Sequence, residues 1–291
     1  MRKSQGGLAQ DRSGLSRDQV AKAENAAVKA GKRSRNVPMH PPVPGTPERI
    51  NKALARAGVA SRRAVDKLIR DGEVAVNGQV VTELGTKVDP RQDRVLVKGK
   101  RVPLVANDQQ VKLYFLLNKP AGVITSAKDD VGRKTVMDLV AGANPGRIYP
   151  VGRLDYDAEG ALLLTNDGEL AALLMAPRKH IPKVYQVKVK GSPPEEKLDI
   201  LRRGVRLEDG VTQPCDIRVI RRARVNTWVE VTLMEGKNRQ LKRMFWAIHH
   251  PVMKILRVAF GSLELGDLPV GRHRALTEAE VDLLRAQVQG V

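Results

Sequence analysis

Apolar residues change their spacing several times along the chain, and each change marks an element. Ile50, Leu54 and Ala57 recur at helical intervals and predict a short first helix, ended by Gly58. Ser61 caps a second helix whose apolar side carries Ala64, Val65, Leu68 and Ile69, and Gly72 ends it. Residues 74–81 form an apolar run interrupted by Asn77-Gly78, the signature of a tight hairpin. Residues 95–97 and 102–104 flank a second turn at Lys98-Gly99-Lys100.

After a polar joint at 107–110 the pattern becomes richer. Residues 113–117 read as a continuous apolar strand turned by Lys119-Pro120-Ala121-Gly122. Strands are expected at 147–151 and 161–165, and a helix from Gly168 to Met175 behind the cap Thr165-Asn166-Asp167. Residues 184–189 alternate strictly, as do 217–220 and 227–233. Helices are expected at 193–203, 237–248 and 277–288, with a strand at 252–258. Short alternating strands with interspersed helices predict an α+β fold. A small N-terminal αα-β module (48–107) is joined to a larger domain (108–291) on a mixed or antiparallel sheet. All nine Phe, Trp and Tyr residues lie at or after Tyr114, so the larger core belongs to that domain.

Composition separates residues 1–47 from the rest. Gly, Pro, Ser and Ala dominate there, aromatic residues are absent, and residues 38–47 are rich in proline. Such a stretch buries too little apolar surface to offset its ordering entropy, so it reads as a disordered basic arm and extended linker. The formal net charge of the chain is +19, which favours a polyanionic partner. Nucleic acid fits better than an anionic membrane, because no run of 18 apolar residues and no apolar signal core is present. With one cysteine, Cys215, no disulfide forms within the chain, which suits the cytoplasm. The adjacent His249 and His250 point too far apart on a helix to share a metal, and no metal site is expected.

Basic residues are arranged on the small module. Lys52 and Arg56 are four apart on the first helix, and Arg63, Lys67 and Arg70 share one side of the second, with Arg62 beside them. Few acids interrupt this stripe, which suits contact with phosphates. In the larger domain no phosphate-cradling glycine loop, dinucleotide fingerprint, zinc-binding helix or nucleophile elbow is found. Two clusters remain. Gly152-Arg153-Leu154-Asp155-Tyr156-Asp157 follows a strand, and Arg153 lies two residues from Asp155, where a cation keeps a carboxylate ionised. The residues alone leave a structural Arg–Asp pair equally open. Lys237, Arg239, Lys242 and Arg243, with Asn238 and Gln240 between them, open a helix and suit a phosphate or a base edge; an ordinary basic helix face stays equally open.

Residues 48–81, with Ala-Gly-Val-Ala-Ser-Arg-Arg leading into the second helix and the Val-x-Val-Asn-Gly hairpin, resemble the alpha-L RNA-binding module. The resemblance implies binding of structured RNA through helix two and the hairpin. Three further segments resemble the pseudouridine synthases that act on single uridines of ribosomal RNA. They are 114–140, 147–175 with its Gly-Arg-Leu-Asp and Leu-Leu-Leu-Thr-Asn-Asp-Gly, and 235–252. The type acting on large-subunit (23S) RNA looks nearest, with the small-subunit type a near relative. The resemblance implies that Asp155 is the catalytic carboxylate, Lys242 its basic partner with Arg243 as runner-up, and Tyr185 the active-site tyrosine. Arg153 is expected to wedge at the vacated base position or bind phosphate. No cofactor is implied, because uracil is detached and rejoined without redox change or group transfer. The expected partner is ribosomal RNA or a precursor particle, met by a monomer. One departure concerns Ala158-Glu159, where the family carries a small polar pair; Glu159 adds a charge near Asp155 and bears on substrate fit. A non-catalytic RNA-binding assembly factor is the alternative reading. A glycosidase fits poorly, since aromatic residues make up 3% of the chain and no second acid is evident.

Overall fold

The computed structural model describes residues 45–127, 129–141 and 148–290. The arm, most of the Pro-rich linker and Arg147 lie outside the described residues.

The first unit runs β1 (Glu48–Arg49), α1 (Ile50–Arg56), α2 (Arg62–Arg70), β2 (Val74–Val76), β3 (Gln79–Val80), β4 (Lys87–Val88), β5 (Val95–Val97) and β6 (Lys100–Val102). The Ser61 hydroxyl accepts the Ala64 N–H at 3.2 Å and starts α2 as expected. Asn77 and Gly78, and again Lys98 and Gly99, take left-handed backbone angles, which turn both hairpins tightly. Strands are ordered β3-β2-β5-β6, while β4 returns to pair with β1. Ile50, Leu54, Val65, Ile69, Val74 and Val95 close a small core between the helices and the sheet.

The second unit is built on one large sheet. Its elements are β7 (Tyr114–Lys119), β8 (Tyr149–Pro150), β9 (Glu159–Thr165), α3 (Gly168–Met175), β10 (Lys183–Lys190), α4 (Glu195–Arg203), β11 (Arg206–Leu207) and β12 (Gly210–Val211). They continue with β13 (Asp216–Arg222), β14 (Asn226–Leu233), α5 (Gln240–Ala247), β15 (Val252–Phe260), β16 (Leu263–Glu264), β17 (His273–Ala275) and α6 (Glu278–Gln289). The strand order is β13-β14-β10-β15-β9-β7-β17, with β8 against β9 and β16 against β15. Pairing is antiparallel except between β9 and β15, so the sheet is mixed.

Period-two alternation sends successive side chains to opposite faces. On one face Leu117, Leu162, Val187, Val229 and Ile255 pack with α4 and α5. On the other, Leu116, Leu163 and Phe260 pack with α3 and α6. The run Leu162-Leu163-Leu164 is fully buried because β9 is covered on both sides.

Several boundaries move. The helix expected from 237 begins at Gln240, because Arg239 is left-handed (φ 46°) and the Lys237 N–H is taken by the Gln240 side chain at 3.0 Å. The strand expected at 147–151 shrinks to Tyr149–Pro150. Pro194 caps α4, which therefore starts at Glu195 rather than 193. Strand β7 runs two residues past 117 and ends on a buried lysine, Lys119.

Candidate active site

Asp155 lies in the loop between β8 and β9, on the sheet face that carries α4 and α5, where its neighbours Leu154 and Ala158 pack. Polar groups of 119–125 cradle this loop. Thr125 Oγ1 donates to the Leu154 carbonyl (2.8 Å), and the Leu154 N–H returns to Thr125 Oγ1 (3.3 Å). The Gly122 N–H donates to the Tyr156 carbonyl at 2.8 Å. The Lys119 side chain is 0% exposed, and its ammonium donates to the carbonyls of Pro120 (3.0 Å), Asp155 (3.1 Å) and Ala158 (2.9 Å). Burial pulls its pKa down to about 8, against the raising influence of Asp157, Asp155 and Glu159.

Gly160 fixes the other end of the loop. Its φ is +111°, and a Cβ there would lie 2.2 Å from the Arg257 carbonyl oxygen. Only glycine allows β9 to approach β15 this closely. Arg257 is 2% exposed; its Nε donates to the Ala161 carbonyl at 2.6 Å, and its guanidinium stands 5.2 Å over the Phe260 ring.

The Asp155 carboxylate is 35% exposed, and Lys242 Nζ, on the first turn of α5, is 3.9 Å from its Oδ2. Lys242 also donates to Asp157 Oδ1 at 2.5 Å, a closer partner than Asp155. That hydrogen bond holds the Asp157 carboxyl below the usual carboxylate range. One ammonium thus serves two carboxylates, where the sequence suggested one. Arg239, exposed at the head of α5, adds positive potential at Asp157.

Tyr185 stands on β10, directly opposite Val231 on β14 and Arg257 on β15. It is half-buried against the same core cluster as Leu154 and Ala158. Its ring therefore shares the sheet face of the Asp155 loop. Arg153 is exposed and forms no ion pair with Asp155 among the described residues, so the cation beside Asp155 is Lys242 and not Arg153.

Two of the expected RNA ligands are committed inside the protein. Arg243 grips Asp209 with both terminal nitrogens, at 2.8 and 2.9 Å, and so is not the partner of Asp155. Lys237 Nζ donates to the carbonyls of Asp209 (3.2 Å) and Val211 (3.1 Å). Together they tie the β11–β12 hairpin to the start of α5. Gln240, part of the cluster that suited a phosphate or a base edge, is buried and bonds Glu235 at 2.6 Å. On the first unit Arg62, Arg63, Lys67 and Arg70 are exposed and have no ion-pair partner among the described residues. The α1 cations differ: Lys52 binds Glu169 of the larger unit at 2.8 Å, and Arg56 pairs with Glu48. Glu159 turns to Lys254 at 2.9 Å, which neutralises the charge that its sequence position brings near Asp155.

Lys119 was not legible as a site residue, since a Lys-Pro-Ala-Gly string reads as a turn. Its place at the end of a core strand, in phase with buried Leu117, was the available signal.

Comparisons with known proteins identify the family. The model of the RNA pseudouridylate synthase family matches residues 113–247, and the S4 domain model matches 48–95. The chain is 49% identical over 241 residues to the ribosomal large subunit pseudouridine synthase B of Bacillus subtilis, covering 82% of this chain and 96% of that protein. An uncharacterized RNA pseudouridine synthase of Aquifex aeolicus is 45% identical over 234 residues, covering 80% of this chain and 92% of that protein. A crystal structure of a pseudouridylate synthase superposes with a TM-score of 0.58 at 28% identity, covering 81% of this chain and 99% of that one. An S4 domain followed by this sheet, and relatives matched along nearly their whole length, make the chain a member of the RNA pseudouridylate synthase family.

Proposed function

We propose that the protein converts one uridine of large-subunit (23S) ribosomal RNA to pseudouridine, with Asp155 as the catalytic carboxylate. The observation that carries this reading is the Asp155 side chain, solvent-accessible on a structured loop, with the Lys242 ammonium 3.9 Å away. A binding protein gains nothing from an acid in a cationic cleft, where it repels phosphate. The relative from Bacillus subtilis, named for the large ribosomal subunit, supports the choice of RNA.

In the reaction the bond between uracil N1 and the sugar C1′ breaks, the base turns, and C5 bonds to C1′. The C5 proton leaves and N1 gains one, so no oxidant or energy source is consumed. The Asp155 carboxylate acts on the sugar of an extruded uridine, with Lys242 as its basic partner. Extrusion costs on the order of a few kcal/mol. Stacking on the half-buried Tyr185 ring returns roughly 1–3 kcal/mol, and its hydroxyl relays the C5 proton. Arg153 and Arg239, both exposed, contact the RNA around the target, while Arg243 and Lys237 hold the β11–β12 hairpin against the start of α5. Arg62, Arg63, Lys67 and Arg70 bind phosphates from a module spanning 48–107, ahead of a catalytic domain spanning 108–291. The protein works as a cytoplasmic monomer.

Asp155→Asn should abolish tritium release from ribosomal RNA labelled at uridine C5 while RNA binding persists. Release at the wild-type rate would remove Asp155 from the mechanism.

A further inference from the structure

The two faces of the large sheet are not equally covered. Helices α3 and α6 pack over β7, β9 and the end of β15, and no residue of β10, β13 or β14 belongs to that cluster. The same face therefore stays open across β13, β14, β10 and the first half of β15. Strand register shows what it carries. Arg221 of β13 lies opposite Trp228 of β14, Trp228 opposite Lys188 of β10, and Lys188 opposite Lys254 of β15. Direct cross-strand partners project from one face, so these four form a row across four strands. Their neighbours Val187, Val229 and Ile255 are buried on the reverse side, which confirms the outward direction of the row.

The charge on this face is unbalanced. Lys254 is neutralised by Glu159 and Arg218 by Glu230. Arg221, Arg224, Lys188 and Lys190 have no carboxylate partner among the described residues. Lys190 shares the face of Lys188, and exposed Arg224 stands at the tip of the β13–β14 hairpin. Half-buried Trp228 offers an aromatic surface between two of these cations. Cations that track a backbone beside a ring that stacks a base are the elements of a nucleic-acid-binding sheet face.

We infer that this open face is a second RNA-binding surface, distinct from the active-site cleft and from the α2 stripe. Tyr185 and the Asp155 loop lie on the opposite face of the sheet. The RNA held here is therefore not the segment that presents the uridine, but another stretch of the same folded molecule passing around the free edge of β13. The ligand chemistry is a phosphodiester backbone with one unpaired base for Trp228. The inference rests on RNA being the substrate, and it extends the proposed footprint.

The test uses the full chain and a large-subunit ribosomal RNA transcript, with affinity measured across a KCl series. In the variant Lys188→Gln/Arg221→Gln/Arg224→Gln the slope of log affinity against log salt should fall by about 2, from roughly 0.7 per lost single-strand phosphate contact. An unchanged slope overturns the inference. Fluorescence supplies a second measurement that needs no charge substitution. The chain has two tryptophans, so Trp246→Phe leaves Trp228 as sole reporter, and RNA should quench it. Unquenched emission at saturating RNA overturns the stacking and the surface with it. Tritium release by the wild-type protein on the same transcript is read separately; its absence would count against the enzyme reading alone.

Discussion

Lys119→Met isolates the contribution of the loop cradle. Methionine nearly matches the length of the lysine stem and keeps its packing with β7, so the change removes chiefly the ammonium. Three carbonyls, of Pro120, Asp155 and Ala158, then lose a donor held at 3.1 Å or less. The Asp155 carbonyl keeps the Ala158 N–H at 3.1 Å, so two carbonyls are left without a partner; at about 1–3 kcal/mol each the gross loss is about 2–6 kcal/mol. Against this stands the relief of burying a charge. The depressed pKa of about 8, against 10.5 in water, means that the folded protein disfavours the charged lysine by about 3 kcal/mol. The difference, about −1 to 3 kcal/mol, centres on a destabilisation of about 1 kcal/mol. Urea unfolding measures it directly. Because two of the three carbonyls flank the carboxylate, the single-turnover rate of tritium release should fall more than tenfold. RNA affinity should change much less, since the cationic surfaces are untouched. A variant as stable as wild type and equally fast would show that the cradle neither supports the fold nor positions Asp155.

Gly160→Ala places a methyl group 2.2 Å from the Arg257 carbonyl at a φ of +111°, and should cost about 2–6 kcal/mol; an unshifted melting temperature would contradict the close approach. Asp157→Asn removes the nearer partner of Lys242 and leaves Asp155 as its carboxylate, so it should slow tritium release less than Lys242→Met does. The opposite order would make the Lys242–Asp157 pair the one that the reaction needs. Stability should rise between pH 8 and 9. Burial lowers Lys119 and Lys183 to about 8, so the folded state binds fewer protons there than the unfolded chain, whose lysines titrate near 10.5. Lys119 contributes at most about 1 kcal/mol of this rise, which Lys119→Met should remove. Above pH 9 the gain is opposed by Cys215, whose thiol is pushed up to about 11. Unfolding free energies that fall from pH 8 to 9 would refute the assignment.

What could be read ahead of the structure follows from the range of each interaction. Periodicity and turn residues act within a few positions, so the hairpin at Asn77-Gly78, the Ser61 cap and the alternation of β10 were all legible. Asp155 and Tyr185 were singled out through strings that resemble a family, and both lie on one sheet face. Contacts between distant segments escaped. The Lys119 ammonium meets carbonyls 36 and 39 residues away, and Arg243 meets Asp209 at a separation of 34. Local charge spacing classed Arg243 and Lys237 with Arg239, although only Arg239 stays exposed. The same limit explains the open sheet face. Alternation in β10 tells that Lys188 opposes Val187, but not whether a helix covers Lys188. That depends on α3 and α6 being drawn toward β7, β9 and the end of β15, where the apolar residues of that face are concentrated. Burying both sides of the central leucine run takes the two helices that, among the described residues, pack on that face, and the basic half of the sheet is left to water or to RNA.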